Sequence, residues 1–463
     1  MTRPIARAMP ATVLNRAITG VGFFVLAFGS IVGSGWVVAM GEWLGSAGPG
    51  GAILAFLLGG VVMALIAGAY AELMARLPRS GGEFCFVWNG IGPRTGMIVG
   101  WFILLHLVSF TAFEAFALCW FLEALIPPLA DAPVLYHAAG TPVTVATLGI
   151  GVAGVVVITW FNCRGADVAV QLQRVITFGF IAISIALILI GLALGHARNL
   201  TPMFASARPN DALPGFFWTF ATSLLFLSGF QATVNAVEER GHATSMPTIA
   251  RSLVGAVLAA AAFYALILLA AALLRPWPLL VAAPLPAAAA YGDALPGAAT
   301  LVLAAATISL AKTWNALHFS AARLVMALAR DRVLPAVLER VDPTSGVPRL
   351  AILGVAAGTL AWLGMGRGAI MPIINMCTIC VTIIMILSLI ALWRLRDRQE
   401  AAPEFVLPGG RVLLAAAIAA AALAAGIAAI APFARGGVPV EIVLLIGWAL
   451  AGGGFVMMRG RHV

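Results

Sequence analysis

The sequence predicts an all-α integral membrane protein of about twelve transmembrane helices. Three observations carry that reading. Of 463 residues, 62% are hydrophobic and 10% are charged, with a mean hydropathy of +1.04, so no polar coat exists to cover a soluble fold of this size. Apolar runs of roughly 20 residues, the length that crosses a hydrocarbon core as a helix, recur from end to end. Arginine, finally, gathers in alternate connections between those runs.

The spans fall at 20–43, 51–76, 93–127, 141–160, 167–194, 213–238, 249–273, 300–329, 347–363, 370–393, 411–430 and 438–458. With the N-terminus on the cytoplasmic side, 21 arginines lie inside and 5 outside, and Lys312 lies within a span. The positive-inside rule is then satisfied, and it stays satisfied only if no span is missing or extra. Both termini are read as cytoplasmic, and the multi-pass chain as resident in a bacterial cell inner (cytoplasmic) membrane. No cleavable leader is expected, because residues 17–43 run straight through as a span. The formal charge of +9 needs no nucleic-acid partner, since anionic inner-leaflet lipid accounts for it.

The chain divides into a tail (1–16), a first five-helix repeat (17–194), a second (213–395) and two additional helices (411–458). In the connections, Pro286, Pro296 and the alanine run 287–290 indicate a short helix over the outer face. Residues 330–335 read as a short amphipathic helix, with Leu334 and Leu338 toward lipid or bundle. Five cysteines are scattered without disulfide logic. Cys377 and Cys380 mimic a metal or redox pair, but they sit in an apolar helix without further ligands, so no metal or cofactor is expected.

Unpaired backbone groups are costly in hydrocarbon, so spans avoid irregular backbone. Two spans break that rule at corresponding places. The first carries Gly29-Ser-Ile-Val-Gly33-Ser34-Gly35 and the sixth Ser228-Gly-Phe-Gln231. Each opens one five-span half, as inverted repeats with discontinuous helices require. Close helix packing through Gly29-xxx-Gly33 is the simpler alternative. If the breaks are real, N–H groups of Ser34, Gly35 and Trp36 face a cavity and suit a carboxylate, while carbonyls from Leu225 to Ser228 suit an ammonium.

Buried polar residues in other spans add to the picture. His106, Phe110, Phe113 and Glu114 share a broad face of span three. Ser309, Lys312, Asn315 and Phe319 line span eight, and Asn375, Thr378 and Thr382 line span ten. Lys312 is the only lysine in the chain and lies too deep to snorkel. Its ammonium suits the place of a coupling ion, or it loads and releases a proton. Glu114 is a second proton carrier candidate. Glu72, Glu238 and Glu239, at span ends, read as anchors for the inside arginines.

These residues resemble the amino acid–polyamine–organocation (APC) superfamily of secondary transporters, in its bacterial amino acid permease branch. The resemblance covers nearly the whole chain. It rests, in order, on Gly29–Gly35, on Tyr70-Ala-Glu-Leu-Met-Ala-Arg-Leu-Pro-Arg-Ser-Gly-Gly-Glu83, on Phe226-Leu-Ser-Gly-Phe-Gln231 with Glu238-Glu239, on Ala322-Arg-Leu-Val-Met-Ala-Leu-Ala-Arg-Asp-Arg-Val-Leu-Pro335, and on Gly346-Val-Pro348. It implies the LeuT-like fold, a substrate carboxylate at Gly33–Gly35, and an amino group at the Ser228–Gln231 break, with Phe230 or a nearby aromatic as lid. Gln231 departs from the acidic or small residue of many relatives. Span five has no lysine where some relatives have one, and Lys312 fills a similar region from the opposite wall.

Substrate contacts are therefore expected from Ser30, Ile31, Gly33, Ser34 and Gly35, from Phe226, Ser228, Gly229, Phe230 and Gln231, and from Phe110, Asn315 and Asn375. Proton or ion coupling is expected at Lys312, Glu114 and His106. The implied function is secondary transport of an amino acid or related amine, with protons and membrane lipids as partners and a homodimer through the last two spans. An exchanger without ion coupling and a transporter-derived nutrient sensor are the alternatives. No GxxxxGK[ST] loop is present for an ATP-driven pump, and no clustered nucleophile, base or metal set for an enzyme.

Overall fold

The computed structural model describes residues 18–164, 166–205, 209–398, 403–434 and 439–459. In chain order the helices are α1 (Gly20–Ile31), α2 (Gly35–Val38), α3 (Met40–Arg76), α4 (Gly82–Gly90) and α5 (Pro93–Leu125). A hairpin of β1 (Val134–Ala138) and β2 (Thr141–Thr144) precedes α6 (Val145–Cys163) and α7 (Ala166–Leu194). Then come α8 (Pro209–Phe226), α9 (Gln231–Asn235), α10 (Met246–Leu274), α11 (Trp277–Val281), α12 (Pro286–Ala294) and α13 (Ala298–Arg330). The chain closes with α14 (Arg349–Leu363), α15 (Ile370–Asp397), α16 (Gly410–Ala434) and α17 (Val440–Arg459).

Among the described residues ten helices are long and apolar enough to cross a membrane, and Arg349–Leu363 and Val440–Gly452 are shorter apolar helices. The chain is a multi-pass integral membrane protein. Each expected span meets one of these twelve segments, most within a few residues. Exposed side chains such as Val156, Leu189 and Leu450 give the bundle an apolar outside, which only lipid tolerates over such an area. The core runs along α1, α3, α8, α10 and α13, with α10 packed on α3, α1 and α7, and α13 packed on α5. Helices α16 and α17 lie at the periphery, against α15 and its neighbours.

Both anticipated interruptions are present. Helix α1 stops at Ile31 and α2 begins at Gly35. Helix α8 stops at Phe226, a single 3-10 turn covers Ser228–Phe230, and α9 begins at Gln231. The expected helix over 287–290 is α12.

Two expectations are corrected, and one element is new. Residues 141–144 are strand, not span: Ala139 and Gly140 take positive φ (46° and 76°) to turn the hairpin, and Thr144 then caps α6, its hydroxyl accepting from the Thr147 N–H at 3.0 Å. Residues 330–335 do not form a helix of their own: Arg330 is the last residue of α13, Arg332 at φ 63° turns the chain, and a 3-10 segment follows at Ala336–Glu339. Leu334 and Leu338 still pack on the core. The exit from α3 also holds an unexpected element: Gly81 and Gly82 (φ 114° and 51°) reverse the chain into α4, which packs on α5 and α15.

Carboxylates fix the ends of the bundle, as anticipated for Glu72, Glu238 and Glu239. Glu72 receives Arg76 at 3.0 Å, Arg396, and the Leu407 N–H at 3.0 Å, so it ties α3, α15 and the approach to α16 together. Glu238 accepts from the Ser80 N–H at 2.8 Å, and Glu239 pairs with Arg323 of α13 at 2.8 Å. At the opposite end Glu123 pairs with Arg367 at 2.8 Å and Asp293 with Arg275 at 2.7 Å.

Glu72→Ala strands two arginines whose side chains are 12% and 10% exposed. Removing one partner of such a pair costs about 3–5 kcal/mol. A marked fall in the thermal unfolding midpoint of purified protein is expected, and an unchanged midpoint would contradict the role of this carboxylate.

Candidate functional site

The break in α1 leaves carbonyls of Gly29, Ile31, Val32 and Gly33 without a continuing helical turn to bond them. Helix α13 supplies most of what is missing, from one stripe at i, i+3 and i+4. The Ser309 hydroxyl points at the Val32 and Gly33 oxygens (2.8 and 2.9 Å). The Lys312 ammonium donates to Gly29 O at 3.1 Å and to Val32 O, and the Thr313 hydroxyl reaches Gly29 O at 2.9 Å. The Tyr264 hydroxyl of α10 approaches Ile31 O at 3.3 Å. Lys312 also lies 4.6 Å from the centroid of the Phe180 ring of α7, so the buried ammonium has oxygens on one side and an aromatic face on another.

The far side of the break faces α5. The Ser34 hydroxyl donates to Glu114 Oε2 at 2.7 Å, and both residues are fully buried. Glycine allows the close approach here. A Cβ on Gly33 would sit 2.6 Å from Glu114 Oε1, and one on Gly35 would sit 2.2 Å from the Phe226 ring. Where the two broken helices cross, a Cβ on Gly229 would sit 2.2 Å from the Ser30 carbonyl oxygen. A methyl group cannot be housed against a backbone atom at that distance.

Between the breaks lies a closed cavity. Its walls are Ser30, Ile31, Gly33 and Gly35, then His106, Phe110 and Glu114 of α5, and Phe226, Ser228, Gly229 and Gln231 from the second break. The space left is about 20 Å³ for the centres of water molecules, roughly what a single ordered water needs. The walls have closed on each other, and any solute requires them to part.

Most expected contact residues thus meet in one place. Others stand elsewhere. Ser34 meets the cavity through Glu114, and Lys312 sits behind the break against its carbonyls. Phe230 is fully buried edge-on to Tyr70, with ring centroids 5.4 Å apart. Asn315 accepts from Asn162 Nδ2 at 3.0 Å, and Asn375 donates to Glu441 Oε1 of α17 at 3.0 Å. Sequence reading did not single out Leu107, Ala232, Thr313, Leu317 and Ser320 as lining residues. Apolar residues on a helix look alike until their neighbours are known, and small hydroxyl residues such as Ser320 are common in spans, so no signal in the sequence marks them.

Residues 18–454 match the amino acid permease family. The chain belongs to that family. It is 25% identical over 391 residues to the methylthioribose transporter of Bacillus subtilis, a match covering 82% of this chain and 81% of the relative. It is 27% identical over 361 residues to the branched-chain amino acid permease BcaP of Lactococcus lactis, covering 74% and 76%. It is 24% identical over 397 residues to the glutamate/serine transporter AimA of B. subtilis, covering 79% and 69%. The permease is accordingly a membrane transporter of amino-acid-like solutes and not an enzyme.

In this permease Gly35→Ala drives a methyl group into the Phe226 ring. The expected loss of stability is about 1–3 kcal/mol, and Phe226→Leu in the same chain should recover part of it. A double-mutant cycle on thermal unfolding checks this, and equal losses in both backgrounds would contradict the contact.

Proposed function

We propose that this permease carries an amino acid or a related amine by alternating access across the cytoplasmic membrane, coupled to protons. One observation carries the reading: two helices are interrupted, they cross at Gly229 and Ser30, and their broken ends wall the same closed cavity. Discontinuous helices around a mid-membrane site are how inverted-repeat transporters present backbone groups to a solute. On this reading residues 17–194 and 213–395 are the two repeats, the last two helices stand outside them, and both termini are cytoplasmic. The LeuT-like arrangement of the superfamily fits that division.

The exits follow from the same geometry. Toward the arginine-rich end the cavity is shut by the Glu239–Arg323 pair, the Asn235–Ser320 bond (2.8 Å) and the Asn235 contact with the Gly81 N–H (3.2 Å). Toward the other end a hollow of about 520 Å³ is bordered by Trp120, Glu123, Arg275, Asp293 and Arg367. Parting one set while the other holds gives alternating access.

Glu114 and His106 in the wall, Lys312 behind it and the Tyr264 phenol on Ile31 O are titratable groups that meet at the break, with no arginine among them. Lys312 is a built-in cation. It occupies carbonyl oxygens at the end of α1, ligands that would otherwise suit a metal cation. Gain or loss of its proton changes how firmly α13 holds α1, and this links charge to the position of the broken helix.

Uptake of labelled amino acids and amines into proteoliposomes tests the reading. Accumulation should need a proton gradient, collapse with a protonophore, and survive replacement of sodium by potassium. Lys312→Met should lower the rate by roughly tenfold or more, since hydrogen bonds from a charged donor are worth about 1.5–3 kcal/mol each. Uptake indifferent to the protonophore would overturn proton coupling. No transport of any amino acid or amine would overturn the reading of the cavity.

A further inference from the structure

We infer that the solute accepted between the broken helices carries an ammonium group on a small apolar body and no free carboxylate, with Glu114 as its anionic partner. This rests on the cavity being the transport site and narrows what it takes.

The groups at the break that would receive a carboxylate are already engaged from within. The hydroxyl at the break, Ser34, is held by Glu114 at 2.7 Å. The space over Gly33 is taken by Glu114 Oε1 and the space over Gly35 by the Phe226 ring. Helix α2 has only four residues, too few for its N-terminus to add an appreciable dipole. A carboxylate also lacks a cation to meet. Among the described residues no lysine or arginine lines the cavity. Lys312 is turned to the Gly29 and Val32 carbonyls, and Arg323 is engaged by Glu239. An incoming carboxylate would meet the Glu114 carboxyl and no cation, in a cavity that screens charge poorly.

What the cavity does offer suits an ammonium. Glu114 lines the space, and its Oε1 is fully buried without a hydrogen-bond partner; His106 Nδ1 and Gln231 Nε2, from the same wall, are likewise unpartnered. A buried carboxylate oxygen left unpaired is costly, and an ammonium donor removes that cost. The Phe110 and Phe113 rings stack at 4.9 Å, and Phe226 stands 6.3 Å from Phe110 at an angle of 63°, so aromatic faces flank the same space. Such faces attract a cation. Leu107, Leu225 and Leu317 complete the wall, which fits an apolar body.

The test compares leucine, leucine methyl ester, isoamylamine and isoamyl alcohol, and the same set on the alanine skeleton. Binding to the full chain in nanodiscs is read by calorimetry and thermal stabilisation. The ester and the amine should bind roughly ten- to hundredfold more tightly than the amino acid and the alcohol, the range a charge-assisted hydrogen bond supplies. Glu114→Gln should erase that preference, and Phe110→Leu should weaken the amine while leaving the alcohol unchanged. Leucine or alanine binding better than its ester and amine would overturn this inference and leave the cavity reading in place. A preference for amine that persists in Glu114→Gln would overturn the role of Glu114. Absence of binding across both sets would overturn this inference and the cavity reading together.

Discussion

A helix interrupted inside a membrane must find partners for its backbone, and here those partners come from α13. Each carbonyl or N–H left bare in hydrocarbon costs several kcal/mol. Ser309, Lys312 and Thr313 answer that demand at Gly29, Val32 and Gly33. The break is thus not a weakness in α1 but one half of a joint whose other half is a polar stripe on a distant segment. Everything at the cavity depends on it, because the joint fixes where Ser30, Gly33 and Gly35 stand.

The glycines complete the arrangement. Gly33 leaves room for Glu114, Gly35 for Phe226, and Gly229 for the Ser30 carbonyl. The two broken helices therefore touch at backbone distance where Gly229 meets Ser30, and α5 and α13 reach the break through Glu114, Ser309, Lys312 and Thr313, so a small shift in one is passed to the others. Packed interiors deform little, so such contacts favour discrete arrangements over gradual ones. The cavity has an ion pair toward one end of the bundle and a larger hollow toward the other.

Much of this was legible in the sequence. Hydropathy and arginine placement located the spans because lipid imposes length and polarity on every crossing segment. The breaks were legible because Gly29–Gly35 and Ser228–Gln231 are poor helix formers where hydrocarbon demands helix. Lys312 announced itself as the one lysine in the chain. What the sequence did not reveal were the partners. That Glu114 would bind Ser34, that Lys312 would clasp Gly29 and Val32, and that Asn375 would turn to Glu441 are matters of long-range packing. The hairpin at 134–144 escaped notice because Pro142, Val143 and Thr144 are followed directly by an apolar helix, and hydropathy alone merges the two.

The most direct measurement of this arrangement is hydrogen–deuterium exchange across residues 20–38 in nanodiscs, comparing the native chain with Lys312→Met. If Lys312 holds the broken end of α1, amides between Phe28 and Val38 should exchange faster in the variant, while those of α3 beyond Gly60 keep their native rate. Unchanged exchange across the break would show that α1 is held without the ammonium, and would contradict the central role given to Lys312.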